Sequence, residues 1–381
     1  MPWESKTVEE KRIAFVITVQ KEGNMSAVCR EFGISRRTGY KWLKRYEAGE
    51  NMSDRSRAPT SNSRRISSDI EEKILKLRTE NPGWGAKTLK RVLEDQGETD
   101  IPCAKTVNNI LLRNGCISAE NSEKRIPYIR FEKERCNEMW QTDFKGEFLM
   151  KNGRYCYPLD IIDDHTRFLI QITPTESTAN FVIGCFERAF REYGLPDSIL
   201  SDNGAQFAGF RHGFTKFEKW LMNHDVLPIH ERIRHPQTQG KIERFHRTLK
   251  EELLAHTKFE DIIDADNKLQ LWREKYNTVR PHSALNMQCP AQVYTPSKRL
   301  YIEEIKPYEY SGEFRLIKVN NWGYIRFDKW QIYLSETMSG ERIEIRPDVI
   351  SDSFNLCYRN FRIASISAID GSLIHRKISR L

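Results

Sequence analysis

The chain has 381 residues, more than one hydrophobic core normally organises, so we expect two to four domains. Hydrophobic residues make up 39% and charged residues 30%, and no apolar run is long enough to cross a bilayer, which argues against a membrane protein. The eight cysteines include no Cys-x-x-Cys pair, and the N-terminus has no apolar signal segment. We therefore expect no zinc module and no disulfide framework, and we place the protein in the cytoplasm.

The net charge of +8 is unevenly distributed along the chain. Residues 1–136 hold 27 Lys and Arg against 20 Asp and Glu, whereas the remainder is almost neutral. A basic front half suggests that this part binds a polyanion. A generically basic protein would show the same balance.

Residues 1–50 predict a helix-turn-helix domain. Apolar periodicity indicates helices over 7–21, 25–32 and 36–46, with Ser35 as the cap of the third helix. The third helix would enter the major groove of DNA. Its expected DNA-facing residues are Arg36, Arg37, Thr38, Lys41, Lys44 and Arg45. A small helical bundle with a solvated basic face is the alternative.

Residues 51–67 are polar and aperiodic, and they predict a basic linker. Its arginines could follow phosphates or lie in a minor groove, although a merely flexible linker would have the same composition. These arginines are Arg55, Arg57, Arg64 and Arg65.

A second helix-turn-helix domain is predicted over residues 68–116, with Lys105 as its candidate DNA-binding residue. Helices over 70–79, 86–93 and 104–113 surround a sharp break at Pro82-Gly83-Trp84-Gly85. Residues 117–136 are charged and irregular, and we interpret them as a second linker.

Residues 137–295 predict an α/β domain whose carboxylates could meet. Three consecutive strands are followed by helix, strand, helix, strand and helix, the element order of the RNase H-like fold. Asp143 lies in the first strand, Asp202 follows a short strand, and Glu243 lies on a helix. Carboxylates that converge in this way suit Mg²⁺. Three further carboxylates compete for the role: Asp160, Asp163 and Asp164.

The motifs of this region resemble the DDE transposases of bacterial insertion sequences, which share the retroviral-integrase catalytic core. They are Trp140-x-x-Asp143, Ser201-Asp202-Asn203-Gly204-x-x-Phe207, His235-Pro236-Gln237-x-x-Gly240-x-x-Glu243-Arg244-x-x-Arg247-x-x-Lys250 and Tyr276-Asn277-x-x-Arg280-Pro281-His282-x-x-Leu285. One departure is the 40 residues between Asp202 and Glu243, more than retroviral integrases have.

The resemblance implies an RNase H-like core in which Asp143, Asp202 and Glu243 are both the catalytic residues and the ligands of two Mg²⁺ ions, with Mn²⁺ as a substitute. It also implies that cations on the Glu243 helix and at its entrance hold DNA, although they could be a salt-bridged surface. We expect Lys241, Arg247 and Lys250 in this role, with His235 and Gln237 beside them.

From residue 296 to 381, short and regularly spaced strands predict a small β-barrel that contacts DNA or another subunit, with Lys318 and Lys329 as candidate contacts. The whole chain is thus expected to be a nucleoid-associated DNA transposase. Its partners would be double-stranded transposon-end and target DNA and at least one further copy of itself. The alternatives are an RNase H-like nuclease, a DNA-binding regulator derived from a transposase, and an architectural protein.

Overall fold

The computed structural model describes residues 7–55, 66–118, 132–176, 181–209, 213–230, 240–348, 351–375 and 377–381. The chain divides into two compact units, Met1–Arg65 and Ile66–Leu381. None of the helices within these described ranges is long and apolar enough to cross a membrane. All eight cysteines lie in the described ranges, and all are free.

The first unit contains three helices: α1 (Val8–Glu22), α2 (Met25–Glu31) and α3 (Arg36–Glu47). As predicted, Ser35 caps α3, because its side chain accepts the N–H of Thr38. The helices pack around a small core that includes Phe15, Val28 and Trp42. Gly39 allows this packing, because a Cβ at that position would lie 2.7 Å from Cys29 Sγ and 2.9 Å from Phe15 Cζ.

The second unit begins with a helical module of α4 (Ser68–Glu80), α5 (Ala86–Asp95) and α6 (Ala104–Arg113). Trp84, from the predicted sharp break, is 2% exposed within the core of this module. The module also packs against the α/β core that follows it. The Lys275 ammonium lies 5.3 Å from the centroid of the Trp84 ring, and a Cβ on Gly83 would meet the Glu252 side chain.

The α/β core is built on a five-stranded sheet in the order β5-β4-β1-β6-β7. Its strands are β1 (Trp140–Phe144), β4 (Leu159–Asp163), β5 (Leu169–Thr173), β6 (Ser198–Ser201) and β7 (Leu227–His230). As the element order predicted, β1, β4 and β5 are antiparallel neighbours, while β6 and β7 continue the sheet in parallel with β1. A two-stranded hairpin of β2 (Phe148–Leu149) and β3 (Tyr155–Cys156) lies between β1 and β4 in the chain.

Five helices complete the core. They are α7 (Val182–Tyr193), α8 (Lys216–Asn223), α9 (Gly240–Leu249), α10 (Ile262–Thr278) and α11 (Pro290–Val293). A π-helical turn, Lys250–Leu254, follows α9. The apolar face of α9, which carries Ile242, Phe245 and Leu249, packs with residues of β4, β5 and α10. This packing fixes which side of α9 faces the sheet.

The prediction of a C-terminal β-barrel is wrong. In the described residues, β9 (Tyr324–Phe327) and β10 (Trp330–Tyr333) form a separate hairpin. The main sheet has the order β14-β13-β12-β11-β8, with β15 paired to β13, so β8 and β14 lie at opposite edges. Its strands are β8 (Arg315–Lys318), β11 (Arg342–Asp348), β12 (Ser353–Tyr358), β13 (Phe361–Ser367), β14 (Leu373–His375) and β15 (Ser379–Arg380).

The α/β core covers part of the apolar side of this region. Phe214 and Met222, from the segment around α8, belong to the same hydrophobic cluster as the C-terminal strands. Polar contacts support the junction, among them Ser335 Oγ, which donates to Phe214 O at 2.9 Å, and Tyr358 Oη, which donates to Asn223 Oδ1 at 2.6 Å. Part of the apolar face of this region is therefore buried against the α/β core.

Candidate active site

Asp143 lies near the end of β1, directly opposite Asp160 of β4 in the antiparallel register. Directly opposed residues of an antiparallel pair project from the same face of the sheet. The Asp143 side chain is 22% exposed, and its Oδ1 accepts the N–H of Phe144 at 2.8 Å. Asp160 is fully buried. One face of the central strands therefore carries two adjacent carboxyl groups.

Asp202 follows β6, which runs parallel to β1 and beside it. Because parallel strands end at the same edge of a sheet, Asp202 and Asp143 reach that edge together. Asp202 Oδ1 accepts the N–H of Gly204 at 2.9 Å, a short turn that orients the carboxylate. Asp143 within β1 and Asp202 just beyond β6 therefore lie at the same edge of the sheet.

The electrostatics of Asp143 reflect this crowding. The pKa of Asp143 is raised to about 6, mainly by burial and also by the charges of Asp202 and Asp160, while His246 and the Phe144 N–H act in the opposite direction. A carboxylate that is poorly solvated and close to other carboxylates is stabilised by a cation. The donor set at this edge is all oxygen, which suits Mg²⁺.

Asp202 is preceded by a hydrogen-bonded chain of three side chains. Ser201 Oγ and His230 Nδ1 lie 3.1 Å apart, and His230 Nε2 lies 2.8 Å from Glu218 Oε1. This order resembles that of a serine hydrolase triad, but Ser201 is 1% exposed, so no substrate reaches its hydroxyl. These hydrogen bonds instead connect the end of β6 to β7 and α8.

Glu243 occupies the first turn of α9 and is exposed. Three residues later, His246 lies on nearly the same side of the helix and points at the sheet. Its Nε2 is 2.7 Å from Asp160 Oδ2, and its Nδ1 is 4.0 Å from Asp143 Oδ2. The sequence prediction did not include His246. Its spacing of three from Glu243 on a helix is the signal that could have found it.

The described residues contain no group of three or more His, Cys, Asp and Glu side chains arranged to hold a metal ion. The structure brings Asp143 and Asp202 together and places the Glu243 helix against the same strands. Coordination of a metal by Asp143, Asp202 and Glu243 remains a prediction. His235 and Gln237 lie outside the described residues.

The two competing turn carboxylates already have several donors. Asp163 accepts the Asn137 N–H and both the N–H and the hydroxyl of Thr166. Asp164 accepts the Lys133 N–H and the side-chain N–H of Gln141. Both carboxylates are fully buried. They therefore organise the turn between β4 and β5 and have little capacity left to bind a cation.

Lys241, a predicted DNA contact, is paired with a buried carboxylate. Its ammonium lies 2.5 Å from Asp164 Oδ2 and 3.1 Å from the Asp164 carbonyl oxygen, and the side chain is 15% exposed. Its pKa is lowered mainly by burial. By contrast, Arg247 on α9 and Lys250 at the start of the π-helical turn are exposed, and a role for them in DNA binding remains a prediction.

In the first unit, α3 presents Arg36, Arg37, Lys41 and Lys44 as exposed side chains, and Thr38 is half-buried. Arg45 does not belong to this surface, because its side chain is 11% exposed and its guanidinium lies 4.8 Å from the Trp42 ring centroid. It also donates to Ser53 O at 3.2 Å. Arg45 holds the end of α3 to the segment that follows, and a contact of Arg45 with DNA remains a prediction.

The remaining predicted DNA contacts belong to other segments of the chain. Arg55 is exposed and paired with Glu50 at 2.5 Å, and Lys105 is exposed on α6. Arg57, Arg64 and Arg65 lie outside the described residues. At the C-terminus, Lys318 is exposed on β8, and Lys329 is exposed in the β9–β10 turn.

Comparison with known families agrees with this architecture. Two models, both described as integrase core domain, match residues 133–236 and 224–290. A helix-turn-helix domain model matches residues 11–60, and a homeodomain-like domain model matches residues 38–111. The chain thus combines helix-turn-helix domains with an integrase core.

Several relatives of the chain are proteins of insertion elements. An uncharacterized 31.7 kDa protein of insertion element IS407 from Burkholderia multivorans is 29% identical over 58% of this chain and 79% of its own length. Transposase InsD of insertion element IS2 from Escherichia coli is 27% identical over 59% of this chain and 77% of its own length. Both matches extend over more than half of this chain.

Among solved structures, a chain of the simian T-cell lymphotropic virus intasome in complex with the PP2A regulatory subunit B56 gamma is similar, with 18% identity and a TM-score of 0.38. The match covers 75% of this chain and 96% of that chain. The HTLV-2 integrase catalytic core domain, in its dimeric form with magnesium, has 17% identity and a TM-score of 0.32. That match covers 42% of this chain and 97% of that chain.

Proposed function

We propose that this chain is a DNA transposase that cuts the ends of its transposon and joins them to target DNA. The observation that carries the proposal is the meeting of Asp143 and Asp202 at the shared edge of β1 and β6, with the pKa of Asp143 raised to about 6 by burial and by neighbouring carboxylates. The matching integrase-core models and the insertion-element relatives support it.

In this proposal Asp143, Asp202 and Glu243 bind two Mg²⁺ ions, for which Mn²⁺ substitutes. When bound, the ions would lower the pKa of the attacking water and stabilise the charge on the leaving oxygen. Water attacks a phosphodiester at the transposon end, the P–O3′ bond breaks, and a 3′-hydroxyl is released. That hydroxyl then attacks a phosphodiester of target DNA, and the P–O bond of the target breaks as the new one forms.

The exposed cations of this chain would position the DNA. Arg36, Arg37, Lys41 and Lys44 on α3 suit a groove-facing surface, and Arg247 and Lys250 extend from the Glu243 helix toward a bound end. Two transposon ends must be held together, so the active form would be at least a dimer. We place the protein in the bacterial cytoplasm, at the nucleoid.

The test is cleavage and joining of labelled transposon-end DNA with Mg²⁺ or Mn²⁺. Asp202→Asn and Glu243→Gln should bind the end as wild type does but neither cleave nor join it. Glu251→Gln makes the same substitution at an exposed residue beyond α9, and it should remain active. If the Asp202 and Glu243 variants kept full activity, the proposed carboxylate site would be wrong.

A further inference from the structure

Asp160 occupies a buried position that is unfavourable for a carboxylate. It is fully buried in the middle of the sheet, and burial raises its pKa. A buried carboxyl group costs free energy unless something compensates it, and an apolar residue would fill the position at no such cost. Its Oδ1 has no hydrogen-bond partner within the described part of the chain, whereas Oδ2 accepts from His246 Nε2 at 2.7 Å.

His246 lies between two strand carboxylates. Its ring is held at 5.8 Å from the buried ring of Phe245, and its side chain is 12% exposed. With Nε2 committed to Asp160, Nδ1 is directed toward Asp143 Oδ2 at 4.0 Å. That separation is longer than a hydrogen bond, but a modest rotation of the Asp143 carboxyl group would close it. An imidazole ring can donate from both nitrogens, one to each carboxylate.

The same contact fixes the position of the helix that carries Glu243. His246 joins α9 to β4 directly and approaches β1 at the residue where the candidate site begins. Ligands in metal sites are commonly oriented by hydrogen bonds from groups behind them, and such supporting groups set the affinity for the metal. Asp160 and His246 have the right placement for this role, since neither is exposed as Glu243 is.

We propose that Asp160 and His246 are positioning residues of the candidate active site. Asp160 anchors the imidazole through Nε2, and Nδ1 then orients the Asp143 carboxylate and sets its distance from the Glu243 helix. This inference rests on the proposed function, because it assigns these residues a role toward the metal that Asp143 would bind. The inference adds Asp160 and His246 to the candidate active site as residues that do not themselves contact the DNA.

Two amide substitutions distinguish the contact made by Nε2 of His246 from the contact made by Nδ1. Gln places its amide nitrogen near the position of Nε2, so His246→Gln keeps the contact with Asp160 and loses the one with Asp143. Asn places its amide nitrogen near Nδ1, so His246→Asn has the opposite effect. A purely structural pair, whose only task is to join α9 to the sheet, would be preserved by His246→Gln.

The experiment measures three quantities for wild type, His246→Gln, His246→Asn and Asp160→Asn. They are the Kd for Mn²⁺ without DNA, the thermal unfolding midpoint in EDTA, and kcat and KM for joining labelled transposon-end DNA. We expect His246→Gln to unfold near the wild-type temperature while its Kd for Mn²⁺ rises about 10- to 100-fold and kcat falls at an unchanged KM. His246→Asn should bind Mn²⁺ more tightly than His246→Gln although it is less stable.

The positioning role of Asp160 and His246 and the proposed transposase function would be contradicted by different results. If wild type binds Mn²⁺ and joins DNA, and His246→Gln does both equally well, the positioning role is wrong and the proposed function stands. If wild type neither binds Mn²⁺ nor joins DNA, the proposed function is wrong and this inference is overturned with it. A loss of Mn²⁺ binding in Asp160→Asn without loss of stability would support the anchoring step.

Discussion

The Lys241 ammonium forms an ion pair with Asp164 that joins the first turn of α9 to the turn after β4. Asp164 is fully buried and also accepts hydrogen bonds from the Lys133 N–H and the Gln141 side chain. The pair therefore sets the start of the helix on which Glu243 lies two residues later. Lys241, which the sequence pattern assigns to DNA, thus has a partner inside the protein that supports the site.

Lys241→Ala should destabilise the second unit by up to about 3 kcal/mol, because removing one partner leaves the buried Asp164 charge uncompensated. Arg247→Ala is the matched control on the same helix, and its exposed side chain should leave stability within about 0.5 kcal/mol of wild type. Urea unfolding measures both. In DNA-end binding the order should reverse, with Arg247→Ala weakened at a temperature where both proteins are folded. Equal stability of the two variants would contradict the role assigned to Lys241.

The pKa of Asp143, about 6 in the folded protein, predicts how stability depends on pH in the absence of metal. Because the folded state holds this proton more tightly than the unfolded chain, stability should fall as the pH rises from about 4 to about 6. The loss is up to about 3 kcal/mol above that range. Asp143→Asn cannot ionise, so it should be more stable than wild type at pH 7 and equally stable at low pH.

Thermal unfolding of wild type and Asp143→Asn in EDTA, across this pH range, measures the difference in stability between them. Taking this difference cancels the contribution of the other carboxyl groups, which both proteins share. Adding Mg²⁺ at pH 7 should raise the wild-type unfolding midpoint and leave Asp143→Asn nearly unchanged, because binding to the folded state alone is stabilising. A wild-type stability that rose relative to Asp143→Asn between pH 4 and pH 6 would show that Asp143 is not raised in pKa.

The same substitution should act in opposite directions at two helical glycines. Gly39→Ala forces a Cβ to within 2.7 Å of Cys29 Sγ and should destabilise the first unit by about 1–3 kcal/mol. Gly184→Ala on α7 meets no atom within 4 Å and should stabilise α7 by about 0.5–1 kcal/mol through helix propensity. Hydrogen exchange of peptides from α3 and α7 reports each unit separately. Stabilisation by both variants would mean that α3 does not pack through Gly39.

Substitutions at Arg45 and Arg37 on α3 should affect different properties, stability in the first case and DNA binding in the second. Arg45→Ala removes the guanidinium that lies against Trp42 and should destabilise the first unit by about 1–3 kcal/mol. Arg37→Ala should leave stability unchanged but weaken binding to DNA and reduce the salt dependence of binding by about one counterion. Binding titrations at several salt concentrations, with thermal unfolding alongside, test both. A salt dependence unchanged in Arg37→Ala would remove Arg37 from the DNA surface.

The sequence alone determined the helices and most strands, because their signals are local. Apolar periodicity and a cap predicted α3, and periodicity closed by Asn114-Gly115 predicted α6 with the bounds that the structure has. The alternation of strands and helices predicted the α/β core and placed Asp143 and Asp202 at strand ends. Each of these inferences needs only the residues within about one element, which is why they hold.

The tertiary structure alone decided which side chains reach the site. Whether Lys241 or Arg247 faces solvent depends on Asp164, a partner 77 residues away from Lys241 in the chain. Within the described residues the C-terminal strands do not close into a barrel, and Phe214 and Met222 from the segment around α8 join their apolar cluster; strand periodicity is the same for an open sheet and a barrel. The contact between Asp160 and His246 likewise exists only because α9 packs across β4, and no local pattern carries that packing.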